Sequence, residues 1–441
     1  MEARSHGLWS ASAPPAPLTA TLSGETTADV VIVGAGYTGC SAALHLALGG
    51  ARPIVLEAQE IGFGGSGRNV GLVNAGLWVL PDAVPAAIGD ERGERLLVQL
   101  SEAPNLVFDL ITKHQISCEA IRTGTLHCAP DRRGVRELSE RARQWRRRGV
   151  AVELFERKEA EILTGSPAYA AVLCDPRAGT IQPLAYVRGL AHAAIRHGAR
   201  IHARSPAVAC EEVGGDWRIT TCGGSVTAPK VIVATDIYAT GLFPALSREQ
   251  VPLPYFNVAT APLPTEIRAR ILPQRQGAWD TRSILSSFRL DAQGRLIFGS
   301  VGALRRGGAR LHEQWARREL ARLFPDLGSI DFDHAWYGMI GMTKDAMPRL
   351  HQLGRNMVSI SGYNGRGIAP GTSFGRDLAR WALGETGIDG LALEILPVRP
   401  LFTRDLRGAF YELGAGLAHL AGARLKPMHM NQTEKRIFDE Q

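Results

Sequence analysis

Three glycines and one acid carry the clearest chemical signal in this chain. Gly34, Gly36 and Gly39 form G-x-G-x-x-G within DVVIVGAGYTG (29–39), and Glu57 lies 23 positions after Gly34. The first glycine suits a tight turn, the second lets backbone approach a pyrophosphate, and the third permits close helix–strand packing. An acid about 20 residues further on is placed to hold a ribose hydroxyl. The chemistry on offer is binding of the ADP half of a dinucleotide. The acid favours a free ribose over a 2′-phosphate and does not separate FAD from NAD.

These residues need elements that place them. Asp29 to Val33 reads as a short buried strand, Tyr37 to Leu48 as a helix with small residues at its start, and RPIVLE as a strand ending on Glu57. The helix N-terminus then directs free N–H groups and a partial positive charge at phosphate. A lone G-x-G-x-x-G would read first as a plain turn. Strand, glycines, helix, strand and acid in this order make it a site. IGFGGSGRNVGLVNAG (61–76) follows, with six glycines in 16 residues. Backbone bare of side chains admits a flat, rigid ligand, and Ser66, Arg68 and Asn69 add donors for phosphates or ring edges. The plainer alternative there is a flexible loop.

Further along, a helical pattern covers 91–114, and alternating segments near 117–128 and 151–155 flank an arginine-rich helix. Another helix stops at Gly198, short strands follow at about 199–203, 206–213, 216–221 and 225–227, and VIVATDIYA (231–239) is a second buried strand that breaks at Thr235. Prolines in VPLPYFNVATAPLPT (251–265) suggest a change of domain, with antiparallel strands at 281–290 and 295–301 and a helix at 309–324. NMVSISG, YNGRGIAPG and TSFGRDLARWALG return to the strand, glycine turn and helix of the opening. The first and last units therefore read as one domain. The expected division is an arm at 1–28, a discontinuous cofactor domain at 29–110, 185–245 and 331–390, a substrate domain at 111–184 and 246–330, and a C-terminal segment at 391–441.

At 441 residues the chain exceeds one typical core, and 45% hydrophobic with 21% charged content is ordinary for a globular protein. No window approaches a membrane span. MEARSHGLWSASAPPAPL has no continuous apolar h-region, so no signal peptide is read, and this Pro/Ala-rich arm is expected to pack on the surface or stay mobile. The six cysteines form no C-x-x-C and no metal-like pairing with histidine, which suits a reducing, cytoplasmic compartment, buried thiols and no metal site. The formal charge is +7, and only six of the 50 basic residues are lysine. The densest run, DRRGVRELSERARQWRRRG (131–149), reads as a surface helix interrupted near Gly134, with a solvated face as the first reading and a nucleic-acid patch as the second.

A nicotinamide enzyme usually needs one nucleotide-binding unit, whereas here a second glycine turn at a helix N-terminus returns some 330 residues later. A fixed positive helix end has a clear use beside reduced flavin, which carries negative charge near N1 and the C2 carbonyl. At this point DVVIVGAGYTGCSAALHLA, IGFGGSGRNVGLVNAG, WYGMIGMTKDAMPRL and SGYNGRGIAPGTSFGRDLA resemble, in order, the FAD-dependent D-amino-acid-oxidase and glycine-oxidase-like (DAO) flavoproteins. The likeness runs from about Leu8 to about Leu413 and is closest to the gamma-glutamylputrescine oxidoreductase branch. It implies an α/β fold (α+β overall), with a Rossmann-like FAD domain of the glutathione-reductase type and an inserted antiparallel-sheet substrate domain. It implies FAD contacts at Gly34, Gly36, Gly39 and Glu57, at Ser66, Gly67, Arg68 and Asn69, and at Gly362, Gly365, Arg366, Gly367 and Ile368. A backbone contact from Val208 to adenine is implied too, with Ala234 and Thr235 near the pyrophosphate.

Three departures qualify the likeness. Val70 stands where the branch commonly has glycine. No cysteine lies between 223 and 441, so FAD is expected to be non-covalent. Ile297 appears where related oxidases place a lysine that helps oxygen react, which leaves oxidase, the first reading, and dehydrogenase both open. The implied reaction is oxidation of a C–N bond in a small amine or amino acid, such as a gamma-glutamylputrescine-like, N-alkyl or D-amino acid. Hydride passes to flavin N5, and water hydrolyses the imine. O2 or another acceptor would then take the electrons. Candidates in the second domain are Tyr255, Phe256, Arg289, Trp336 and Lys344. Arg289 is set against a substrate carboxylate, Trp336 near the flavin, and Lys344 beside a local salt-bridge alternative, Asp345. The plainer readings are core for the aromatics and a surface or structural ion pair for Arg289. The other functions weighed are a tRNA-modifying flavoprotein of the same family, an NAD-dependent dehydrogenase, and a non-enzymatic flavin-binding role.

Overall fold

The computed structural model describes residues 6–239, 241–304, 308–328 and 330–421. The apolar runs VVIV, PIVL, VIV and MVSIS form the heart of a six-stranded sheet. Its order is Arg349–Gly354, Met357–Ser361, Val231–Val233, Val30–Val33, Pro53–Leu56 and Arg200–His202. All neighbours are parallel except the first pair. Such runs need not alternate with polar residues because both faces are covered. Val30 and Ile32 share a core with helices Tyr37–Leu48, Asp90–His114, Pro183–Arg196 and Ile368–Leu383. Val31 and Val33, on the opposite face, join Ile219 and Val226 of a four-stranded sheet. That sheet runs Gly24–Thr27, Gly224–Ala228, Asp216–Thr220, Ala209–Val213.

The second body is an eight-stranded sheet ordered Phe332–Met342, Val251–Pro262, Arg295–Val301, Ser286–Leu290, Gly277–Asp280, Thr125–Ala129, Ala171–Asp175, Glu153–Glu156. Phe256, Phe288 and Phe298 pack there against Trp315 and Leu320 of helix Gly308–Leu323. Among the described residues no helix is long and apolar enough to cross a membrane.

Several expectations change. The stretch 251–265 is no punctuation but a 12-residue strand. Pro252 and Pro254 precede Tyr255, where the ladder with Arg295–Val301 begins, so they sit at the strand's unpaired end on that side, with the Gly302 N–H on the Pro254 carbonyl just beyond it. Phe332–Met342 pairs with that strand, so this part of 331–390 lies in the second sheet. Among the described residues the N-terminal arm is anchored at two points, while the stretch between them runs over the surface. Leu8 and Trp9 of helix Leu8–Ser12 are fully buried, and Gly24–Thr27 is a sheet strand. Helix Arg132–Arg147 runs without a break at Gly134, whose N–H instead donates to the capping Asp131 carboxylate at 2.8 Å. Its inner face buries Leu138, Trp145 and Arg141, and Arg141 donates to the Leu77 and Val79 carbonyls. Arg143 and Arg148 pair with Glu140 and Glu94. The basic run is therefore a packed element, not a solvated face all round.

Candidate active site

The end of strand Val30–Val33 and the start of helix Tyr37–Leu48 meet in a turn that only glycine fits. Gly34 has φ +105°, and a side chain there would stand 2.8 Å from the Ala234 carbonyl. A side chain on Gly36 would stand 2.9 Å from Ser66 Oγ, and one on Gly39 would collide with the Gly34 carbonyl. The helix begins without a side chain from its Gly36 cap, and of its first-turn N–H groups that of Tyr37 is taken by Ser66 while the turn as a whole opens on the cavity. Glu57 folds back on this turn, and its carboxylate accepts the Ala35 and Gln59 N–H groups at 2.8 Å each. Burial pushes its pKa above the usual range.

Other turns close on the first through specific bonds. Ser66 Oγ accepts the Tyr37 N–H at 3.1 Å, and the Tyr37 hydroxyl donates to the Ser66 carbonyl at 2.6 Å. Asn69 Nδ2 donates to the Tyr37 hydroxyl at 3.1 Å and to the Gly65 carbonyl at 2.9 Å. The Thr38 and Tyr363 hydroxyls lie 2.6 Å apart. Asp236, just past strand Val231–Val233, accepts the Gly362 N–H at 2.8 Å, and burial pushes its carboxyl up to about 6. Helix Ile368–Leu383 starts at Gly367, again without a side-chain cap. Two uncapped helix starts thus open on one cavity of about 720 Å³, which is the size of a cofactor or drug-sized ligand site.

The cavity's other wall comes from the eight-stranded sheet, with Tyr255, Asn257, Trp279 and Ser287 facing Asn74, Trp78 and Arg366. The Arg366 guanidinium lies 4.8 Å from the Trp78 ring and 5.4 Å from the Trp279 ring. One end donates to the Ala75 carbonyl at 2.9 Å, and Nε has no hydrogen-bond partner among the described residues. Burial, with Arg141 nearby, holds its pKa down at about 9. The Tyr255 hydroxyl is likewise buried without a partner, and burial pushes its pKa up.

Residues 29–381 match the family of FAD dependent oxidoreductases known as DAO. The chain belongs to this family. It is an FAD-dependent oxidoreductase, and the family membership decides the FAD-or-NAD question that the glycines left open. Gamma-glutamylputrescine oxidoreductase of Escherichia coli (strain K12) is 31% identical over 403 residues, covering 90% of this chain and 93% of that protein. The structure of glycine oxidase from Geobacillus kaustophilus superposes with a TM-score of 0.67 at 20% identity, covering 85% of this chain and 99% of that one. L-proline dehydrogenase from P. horikoshii gives a TM-score of 0.67 at 17% identity, covering 83% and 96%. Both share the fold of this flavoprotein.

FAD suits the cavity on the structure's own terms. The glycine cradle, the two uncapped helix starts and the buried, unpartnered Thr235 hydroxyl are what an extended phosphate-bearing cofactor would engage. None of the six cysteines lines the cavity, so no thiol stands ready for covalent attachment. Of the residues expected to hold FAD, Gly34, Gly36, Glu57, Ser66, Asn69, Ala234, Thr235, Gly365, Arg366, Gly367 and Ile368 line it, as does the divergent Val70. Others act from behind the wall. Gly39 lets the helix close on the turn, Gly67 sits against the Gly62 carbonyl, and Gly362 gives its N–H to Asp236. The Arg68 side chain donates to the Phe63 and Tyr337 carbonyls at 2.7 and 3.2 Å. Val208 is half-exposed with its N–H given to the Thr220 carbonyl, and Pro206 and Ala207 line the cavity in its place.

The expected catalytic set divides. Tyr255 and Phe256 line the cavity, whereas Trp336, Arg289 and Lys344 do not. Trp336 is core. It packs on Trp9 at 5.4 Å and donates to the Arg68 carbonyl at 2.8 Å. Arg289 is fully buried and donates to the Ile181 carbonyl, which removes it from contact with a substrate carboxylate. Lys344 is exposed, and its neighbour Asp345 pairs with Arg349 at 2.7 Å. Sequence reasoning passed over Asp236, although it follows Thr235 in a quoted strand, and Trp78, Trp279 and Tyr363, which stand out in no spacing pattern.

Proposed function

We propose that the enzyme oxidises a C–N bond in a small amine that carries a carboxylate, such as an N-alkyl, D- or gamma-glutamyl amino compound. The observation that carries this reading is Arg366. It is a buried guanidinium on the cavity wall, without a carboxylate in salt-bridge range among the described residues. A buried cation of this kind is costly unless an anion joins it, and a planar guanidinium matches a carboxylate in a two-bond fork. The relatives above are named for a putrescine derivative, glycine and L-proline, all amines or amino acids.

When bound, FAD supplies the two-electron acceptor that no side chain of the cavity provides. Arg366, fixed between Trp78 and Trp279, would hold the carboxylate, and the unpartnered Tyr255 hydroxyl would bond the substrate's polar end. The apolar wall of Leu72, Met339 and Ile340 limits water at the reacting carbon. The lining carboxylates, Glu57 and Asp236, are both engaged by backbone N–H groups, and no histidine or lysine among the described residues lines the cavity. The described residues of the cavity thus offer no free base, and the amine reacts in its neutral form. Water then hydrolyses the imine to a carbonyl compound and an amine, and O2 or another acceptor takes the electrons.

The test is a screen of carboxylate-free amines, D-amino acids and N-alkyl amino acids, with release of the carbonyl product measured. Turnover concentrated among carboxylate-bearing amines is expected. Turnover of carboxylate-free amines alone would remove Arg366 from the account, and no carbonyl product from any amine would remove the reaction.

A further inference from the structure

The C-terminal helix Arg404–Ala421 carries its apolar stripe on the outside. Its inner face is small or polar. Gly408 sits on Pro252, Ala415 is buried, and buried His419 stacks on Trp315 with its Nδ1 2.8 Å from His312 Nδ1. The outer face presents Leu406, Phe410, Leu413, Leu417 and Leu420, each between 62% and 74% exposed.

Their spacing is 4-3-4-3, the 3.5-residue period of a seam between two helices. At about 100° per residue the five fall within an arc of about 80°, narrower than the face a helix lays on a broad surface. Ala409 and Gly416 flank the arc and leave room for a second backbone. No charge stands on it, so two copies can meet without repulsion.

The pattern is also nearly symmetric about Leu413. Leu406 and Leu420 lie seven residues to either side, with Phe410 three before and Leu417 four after. A two-fold axis through Leu413 would run two helices antiparallel, setting Leu406 against the partner's Leu420 and Phe410 against the partner's Leu417. That self-matching is what an isologous contact requires. At about 100 Å² per side chain, five from each copy would bury on the order of 1,000 Å², the size a specific interface must reach.

We propose that this face is a homodimer interface, formed by antiparallel pairing of Arg404–Ala421 with the same helix of a second copy.

The experiment is sedimentation velocity on the full FAD-loaded chain at low micromolar concentration, beside the double variant Leu413→Glu, Leu417→Glu. A dimer is expected for the parent. The variant should be a monomer with at least a 100-fold weaker dimer constant and an unchanged flavin spectrum and FAD content, because the replaced side chains lie on the helix's outer face, away from the cavity. A monomeric parent would overturn the proposal, as would a variant that stays dimeric. Flotation with phosphatidylglycerol vesicles is the second arm. Vesicle binding by the parent, lost in the variant, would assign the stripe to lipid and overturn it equally.

Discussion

Replacing Trp9 with alanine should damage the FAD site although Trp9 touches none of the cavity. Trp9 is fully buried, packs edge-on to Trp336 at 5.4 Å, and donates from Nε1 to the Asn69 carbonyl at 2.9 Å. Its own carbonyl accepts from Gln182, which caps helix Pro183–Arg196. Truncation leaves a large cavity, at about 3–5 kcal/mol for Trp→Ala, and strands the Asn69 carbonyl for about 1 kcal/mol more. In a chain of this size roughly 2 °C per kcal/mol follows, so the melting midpoint should fall by about 8–12 °C. Trp9→Phe keeps most of the packing and loses the hydrogen bond, so about 2–4 °C is expected. Because Asn69 holds Tyr37 and Gly65 in the cofactor turn, bound FAD per chain should fall with the midpoint. Differential scanning fluorimetry and the ratio of visible to protein absorption read both. Deletion of residues 1–12 that left midpoint and FAD content unchanged would refute the reasoning.

Gly39→Ala places a methyl on the Gly34 carbonyl and should weaken FAD binding more than tenfold in a fluorescence titration; Gly36→Ala, opposed by a rotatable Ser66 hydroxyl, should cost less. Arg366→Gln should raise KM for carboxylate-bearing amines by about 10- to 100-fold, the value of a charge-assisted pair, while carboxylate-free amines change little and FAD content holds. Asp236 is held at about 6, above its unfolded value, so the native state keeps its proton longer. Stability is then greatest below about pH 4 and declines as pH rises through 6, by up to roughly 3 kcal/mol from this group. Asp236→Asn keeps an acceptor for Gly362 and should flatten that part of the melting profile; an unchanged slope would remove Asp236 as its cause.

The cofactor half was legible because its constraints are local. Gly34, Gly36 and Gly39 answer clashes within a few residues, and strand runs covered on both faces stay apolar whatever lies around them. The substrate half was not, because it is assembled across chain distance. Trp78 and Trp279 flank Arg366 from segments with no common motif, and Arg289, a residue type suited to an anion, gives its guanidinium to the Ile181 carbonyl instead. Trp9 was hidden by the Pro/Ala-rich residues after it, which read as loose. The prolines of 251–265 misled for a geometric reason, since a strand tolerates proline wherever one neighbour is missing.

The most direct test is to mix the FAD-loaded enzyme anaerobically with carboxylate-bearing amines and follow the visible flavin absorption. Bleaching by at least one such amine, slowed or lost in Arg366→Gln with FAD still bound, is the expected result. A flavin that chemical reductant bleaches but no amine does would contradict the account.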